Sequence, residues 1–219
     1  TLLVRVALFV LAATLLPAVI EDFARLQPDV QISVRDTPVG LLVKAVASAD
    51  ADLAIGPDLE IDETVLRHAL FDSPWVLWCA PGHALAQRQS VPWSGLRHHR
   101  IVAAGRDHER NVPAMALDCP ASDRIVPTDV FDHVTTALGL AARGLAVTLA
   151  PAYVEGLARS MGLVMRRVVE PEVTRQVCLY SPSRRSASAA ADAFSRHLAQ
   201  WVQASGNTTF TCPVPDATK

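Results

Sequence analysis

Charge is scarce in this chain and evenly balanced. Of 219 residues, 19 % are Asp, Glu, Lys or Arg, and 20 basic against 22 acidic side chains leave a net charge of −2. Without a basic stripe or run, this segment should not bind DNA by itself. Cysteine is also sparse. Cys79, Cys119, Cys178 and Cys212 are far apart and form no C-x-x-C pair. That usage reads as buried or free thiols in a reducing cytosol rather than a disulfide framework. The seven histidines are scattered. His98 and His99 are adjacent and so point differently, and neither has a metal-ligating partner at i+4, so no metal site is expected. Catalytic signatures are missing too. There is no G-x-S-x-G elbow and no H-E-x-x-H, and Gly139 to Gly144 lacks the lysine of a phosphate-binding loop. No nucleophile stands beside a histidine at recognisable spacing, so no enzyme activity and no cofactor are expected.

What the chain does have is apolar material. Half the residues are hydrophobic, enough for one large domain or two lobes. The first twenty residues, TLLVRVALFVLAATLLPAVI, resemble a membrane span in composition. A bilayer helix, however, needs about 20 uninterrupted apolar residues, and here Arg5 and Pro17 break the run. A strand followed by a helix accounts for it better, and no membrane association is expected.

Periodicity then divides the chain. Leu2 to Phe9 reads as a buried parallel strand. Thr14 is placed to cap a helix with Pro17 in its first turn and Leu16, Val19, Ile20 and Phe23 inward. Val30 to Val34 alternates as a second strand. Thr37-Pro38 opens a helix with Leu41, Leu42, Ala45 and Val46 inward, and Asp52 to Gly56 is a third strand. This β-α-β-α-β order begins a doubly wound layer. Leu66–Leu70 and Trp75–Cys79 read as two further strands, Trp93–Leu96 as a helical turn, and Arg100–Ala103 and Arg124–Val126 as strands. A helix is expected over 107–118. In Phe131 to Pro151, residues Val134, Leu138, Ala141, Ala142 and Leu145 share helical spacing. Gly144 then supplies a left-handed stop, and Ala146 to Leu149 is a core strand. A helix at 152–159, strands at 163–169 and 175–180, and a helix at 187–202 complete the order. The helix at 187–202 turns Ala190, Phe194, Leu198 and Trp201 inward. Residues 205–219 read as a loose tail.

Four segments in this order, "LLPAVIEDFARLQPDVQISV", "DLAIGP", "WVLWCAPGHALA" and "ALGLAARGLAVTLAP", resemble the effector-binding domain of LysR-type transcriptional regulators, over residues 1 to about 204. The resemblance implies an α/β fold of the two-lobed type 2 periplasmic-binding-protein kind, with two crossover hinge strands. Lobe I would be 1–78 plus 179–204 and lobe II 79–178, with Cys79 and Cys178 on the crossing strands. The family's N-terminal winged helix-turn-helix is absent from this chain, so Thr1 reads as a truncation point and DNA would be reached only through that missing domain. The partners implied are a small-molecule effector and copies of the same chain, as a homodimer or homotetramer through lobe I, in the cytoplasm. An inducer between the lobes would shift their relative angle. Moving such a balance from mostly one state to mostly the other takes about 5.5 kcal/mol of differential binding.

In open α/β sheets, ligands bind outside the carboxyl ends of the strands. The loops expected there are Val10-Leu11-Ala12-Ala13-Thr14, Thr37-Pro38, Ala104-Gly105-Arg106, Thr128-Asp129-Val130-Phe131 and the turn before Pro151. Helix amino-termini at the first two would receive an anionic group. Arg106 either clamps an effector carboxylate or is a solvated loop arginine, alone or paired with Asp107 or Asp129; exposed charge favours the latter. Asp129 either meets the effector or caps a helix at Phe131, and Phe131 either stacks on a ligand or packs in the core. The resembled family often carries Ser or Thr where Val10 and Pro38 stand. The apolar pair here implies a largely apolar or aromatic effector with one acid group rather than a dicarboxylate. A competing reading of the same fold is an exported solute-binding protein of a transporter, which an export signal ahead of Thr1 would distinguish.

Overall fold

The computed structural model describes residues 2–8, 15–104, 111–115, 124–183 and 188–205. The chain divides into two compact units. Among the described residues, unit 1 holds those up to Asp72 and those from Arg175 on, and unit 2 holds those between Ser73 and Thr174. Both divisions lie upstream of the positions inferred from the sequence.

In unit 1, strands β1 (Leu2–Leu8), β2 (Val30–Asp36) and β3 (Leu53–Pro57) are parallel, with β1 in the middle. Their register sets Val4 beside Ile32, and Leu8 beside both Asp36 and Ile55. Strand β10 (Thr174–Pro182) lies antiparallel against β3, Cys178 opposite Gly56. Arg5, the charge inside the first apolar run, belongs to this sheet. Its Nη2 donates to Asp52 Oδ1 at 2.9 Å, its Nε to Asp52 Oδ2 at 3.2 Å, and its own backbone N–H to Oδ2 at 2.8 Å. A two-pronged pair of this kind fixes geometry as well as adding energy, and it joins the middle of β1 to the start of β3.

Helices cover both faces of that sheet. Helix α1 (Leu16–Leu26) buries Leu16, Val19 and Phe23 at helical spacing, with Pro17 in its first turn where a missing N–H costs nothing. Helix α5 (Ala189–Ala204) packs beside it. The Ser188 hydroxyl caps α5 by accepting the Ala191 N–H at 3.1 Å. Phe23 and Phe194 meet edge-to-face at 5.1 Å, the arrangement aromatic quadrupoles prefer. On the other face, the short helix α2 (Leu42–Ala47) packs Leu42, Ala45 and Val46 with Ala7, Ala54, Cys178 and Tyr180.

Unit 2 has the strand order β5-β9-β4-β8-β6-β7. The strands are β4 (Val65–Cys79, entering from unit 1), β5 (Ser90–Pro92), β6 (Ile101–Ala104), β7 (Asp129–Phe131), β8 (Val147–Pro151) and β9 (Val164–Val169). Strands β6, β7 and β8 are parallel, and β4 runs against β8 and β9. Alternate residues of β4, namely Trp75, Leu77 and Cys79, enter a core with Leu85, Trp93, Leu96, Val147, Leu149 and Val168. Helix α3 (Val134–Ala142) turns Val134, Ala137, Leu138 and Ala141 inward, and α4 (Glu155–Ser160) follows β8.

Several sequence expectations change. The two strands expected between Leu66 and Cys79 are one, β4. Arg124 to Val126 is not a strand, and the strand comes later as β7. Leu41 and Leu145 were expected inward but are 50 % and 58 % exposed. Helix α1 is capped at Leu15 rather than Thr14, and Leu15 makes no side-chain capping bond. Within the span expected to be helical at 107–118, only 111–115 is described, and 111–114 is helical.

Candidate functional site

The carboxyl ends of the parallel strands define one edge in each unit. In unit 1 that edge is formed by Leu8, Asp36 and Pro57. Thr37 follows β2 and is almost fully buried. Its N–H donates to the Leu8 carbonyl at 2.9 Å, and its hydroxyl reaches the Arg35 carbonyl at 3.3 Å. The threonine thereby ties the ends of β1 and β2 together. Pro38 beside it is exposed. The segment after Pro38 is a 3-10 turn (Val39–Leu41) leading into the six-residue α2. So short a helix offers a smaller dipole to an anion than the longer α1 does. Leu15 at the amino end of α1 makes no side-chain capping bond.

At the end of β3, Tyr180 from β10 is fully buried. Its hydroxyl donates to the Pro57 carbonyl and accepts the Leu59 N–H at 2.8 Å. Burial pushes the phenol up to about 12. Asp58 pairs with Arg67, whose guanidinium also donates to the Leu59 carbonyl at 3.1 Å. The chain leaving β3 is thus held by groups from β4 and β10.

In unit 2 the corresponding edge is Ala104, Phe131 and Pro151. Ala104 and Phe131 are register partners on β6 and β7. Phe131 is half-buried and stands outside the unit's core cluster. Asp132 and His133 follow, both exposed, and His133 caps α3 without a side-chain hydrogen bond. Beyond Pro151, the buried Ser73 hydroxyl accepts the Tyr153 N–H at 3.1 Å. Because Trp75 pairs with Pro151 on antiparallel strands, Ser73 sits on this same edge.

The structure separates residues that the sequence had grouped. Thr128 and Asp129 lie at the amino end of β7, opposite Phe131. Thr128 donates its N–H to the Ile101 carbonyl at 2.8 Å, and its hydroxyl is 3.1 Å from that carbonyl and 3.0 Å from Asp129 Oδ2. Asp129 caps no helix. It accepts Arg100 Nη2 at 2.6 Å and Nε at 3.2 Å. The hydrogen bond from Arg100, then that from Thr128, holds its carboxyl below the usual carboxylate range. The turn before β8, Arg143 to Leu145, is likewise at an amino end, and the carboxyl edge is Pro151 itself. Val10, Leu11, Ala12, Ala13, Thr14, Gly105, Arg106 and Asp107 lie outside the described residues. Sequence reading missed Ser73, Asp132 and His133. Ser73 and His133 lay in stretches read as a break and a helix start, and only strand direction puts them on the edge.

Cys79 and Cys178 lie on β4 and β10, in the cores of different units, and both are free thiols. Burial is the leading cause that pushes each thiol up, so neither has the thiolate character of a reactive cysteine. Among the described residues, no group of three or more His, Cys, Asp or Glu is placed to hold a metal ion. No helix among them is long and apolar enough to cross a membrane.

Comparison with known proteins adds the following. The family model described as "LysR substrate binding domain" matches residues 3–203. The uncharacterised HTH-type transcriptional regulator YfeR of Shigella flexneri is 28 % identical over 185 residues, covering 84 % of this chain and 59 % of that protein. The transcriptional dual regulator GltC of Bacillus subtilis (strain 168) is 26 % identical over 194 residues, covering 87 % and 64 %. The chain spans between 56 % and 65 % of the length of the curated relatives it matches. Among solved structures, the effector-binding domain of QuiR in complex with shikimate superposes with a TM-score of 0.79 at 15 % identity, covering 92 % of this chain and 97 % of that one. The effector-binding domain of a BenM variant gives 0.77 at 17 % identity, covering 94 % and 97 %. At such identities the likeness is one of fold, the type 2 periplasmic-binding-protein-like fold of these domains.

Proposed function

This chain belongs to the LysR substrate-binding-domain family, and from that premise we propose that it is the effector-sensing part of a bacterial transcriptional regulator. The observation that carries the reading is the family match over residues 3–203. The strand ends support it, since each unit presents a carboxyl edge of backbone groups, small residues and one or two polar side chains. On this reading each unit offers a strand-end edge to a small molecule, with Thr37 and Pro38 in unit 1 and Phe131, Asp132 and His133 in unit 2. The amino end of α1 receives its acid group. Thr128 and Asp129 then serve to anchor β7 rather than to touch the ligand. The whole regulator works in the cytoplasm as a homodimer or homotetramer, reaches DNA through another part of its chain, and catalyses no reaction.

The apolar character of Pro38 and the half-buried ring of Phe131 favour a planar, largely apolar monoacid over a dicarboxylate. Calorimetric titration of the chain with benzoate-type acids and with small dicarboxylates tests this. The aromatic acids should bind more tightly. Phe131→Ala should weaken them by about 2- to 12-fold, which corresponds to the roughly 0.5–1.5 kcal/mol of an aromatic contact. A clear preference for dicarboxylates, unchanged by Phe131→Ala, refutes the assignment of ligand class while leaving the family untouched.

A further inference from the structure

Unit 2 holds two histidines that the effector reading does not use. The imidazoles of His83 and His99 are 5.0 Å apart between ring centres and inclined at 60°. His83 stands in the turn leaving β4, and its N–H donates to the Ala80 carbonyl at 3.0 Å. Its Nδ1 accepts the Leu85 N–H at 3.2 Å, which caps the 3-10 turn Ala84–Gln87. His99 closes the 3-10 turn Trp93–His98 and directly precedes Arg100 and β6. The ring contact therefore joins two segments sixteen positions apart in sequence, both half-buried.

The chemistry of this pair is constrained. An imidazole whose Nδ1 accepts a hydrogen bond carries its single proton on Nε2. A second proton must go to Nδ1, where it displaces the Leu85 N–H. Among the described residues no Asp or Glu forms an ion pair with either ring, and the charges acting on His99 are all basic. The charged and titratable groups acting on His99 are His83, His98 on the 93–98 turn and Arg88 after the 84–87 turn, while Arg166 on β9 reaches the 84–87 turn. Arg166 is already engaged, donating through Nε to the Ala86 carbonyl at 2.9 Å and through Nη1 to the Met165 carbonyl at 2.6 Å. Strand β5, which packs on the 93–98 turn, has no titratable side chain. The same cationic surroundings oppose a metal ion at the two rings.

We propose that His83 and His99 form an acid-sensitive clasp, closed while both rings are neutral and opened by protonation, that pins the turn after β4 to the segment entering β6. Burial, then the neighbouring His83, lowers the affinity of His99 for a proton. The sign follows directly. The unfolded chain takes up the proton near the ordinary value of about 6.5, so the clasp's contribution is complete above that pH. It is lost progressively as the pH falls from there through the lower value of the folded state. Regulation at this point would act on the chain immediately after β4, which links the two units.

Histidine-resolved and amide NMR on the 219-residue chain from pH 8 to pH 5 tests it. His99 should titrate below about 6.5, and the Leu85 amide should lose at least tenfold in exchange protection factor over the same range. His99→Phe keeps a ring against His83 and removes a neighbouring charge that opposes the second proton there, so Leu85 should lose protection at higher pH than in the wild type. The proposal is overturned if His99 titrates at or above the ordinary value, if Leu85 protection does not vary with pH, or if His99→Phe follows the wild-type curve. The wild-type titration decides the matter alone should that variant fail to fold.

Discussion

Tyr180 shows how one side chain settles a local structure. Its hydroxyl serves the Pro57 carbonyl and the Leu59 N–H at once, in a fully buried position. Tyr180→Phe keeps the ring and its packing but leaves two backbone groups unpaired. The expected cost is about 1–3 kcal/mol, the desolvation penalty of an unsatisfied buried group. Urea unfolding followed by tryptophan fluorescence measures it, and an unchanged midpoint would mean that water replaces the hydroxyl. The companion expectation is spectroscopic. With the phenol pushed up to about 12, Tyr180 should ionise well above the ordinary tyrosine value of about 10. None of this was legible beforehand, because the sequence identifies Tyr180 only as a strand residue. Asp129 was misjudged for a related reason. Its partner, Arg100, stands 29 positions away in sequence, and only the β6–β7 register brings them together.

Whole elements were easier to foresee where the hydrophobic period changes abruptly, and the joint between α3 and β8 is the clearest case. Gly144 has φ +70°, its N–H donates to the Ala141 carbonyl at 2.9 Å, and the Leu145 N–H donates to the Leu140 carbonyl at 3.1 Å. That is the paired bonding of a left-handed helix stop. A Cβ at Gly144 would meet nothing within 4 Å, so the cost of Gly144→Ala is backbone strain alone, about 1–2 kcal/mol. Gly144→Asn should cost less, since Asn tolerates this conformation better. Equal stability of all three proteins in urea would show that the joint relaxes. Elements without such punctuation were misread. Asp72-Ser73-Pro74 has the composition of a turn, yet β4 runs straight through it, and the Ser73 hydroxyl is spent on Tyr153. Ile125 and Val126 have the side chains of a strand, yet Ile125 fills the unit 2 core from an irregular segment.

At the scale of the molecule, part of the order of strands and helices was readable because apolar runs such as β1 and β8 lead into helices. Which residues face the ligand edge was not, since that depends on strand direction and register, as the opposite ends taken by Asp129 and Phe131 on β7 show. The proposed function makes a quantitative demand at this scale. A ligand that binds only the folded chain adds stability as RT ln(1 + [L]/Kd), about 2.7 kcal/mol at a hundredfold excess over Kd. For a chain of this size each kcal/mol shifts the midpoint by roughly 2–4 °C, so an effector at that excess should raise Tm by about 5–11 °C. Differential scanning calorimetry with the aromatic acids and the dicarboxylates ranks them on that scale. The compound giving the largest shift should lose most of it in Phe131→Ala and keep it in Asp129→Asn. Loss in Asp129→Asn with retention in Phe131→Ala would move the effector to the amino ends of β6 and β7, against the edge assigned to it.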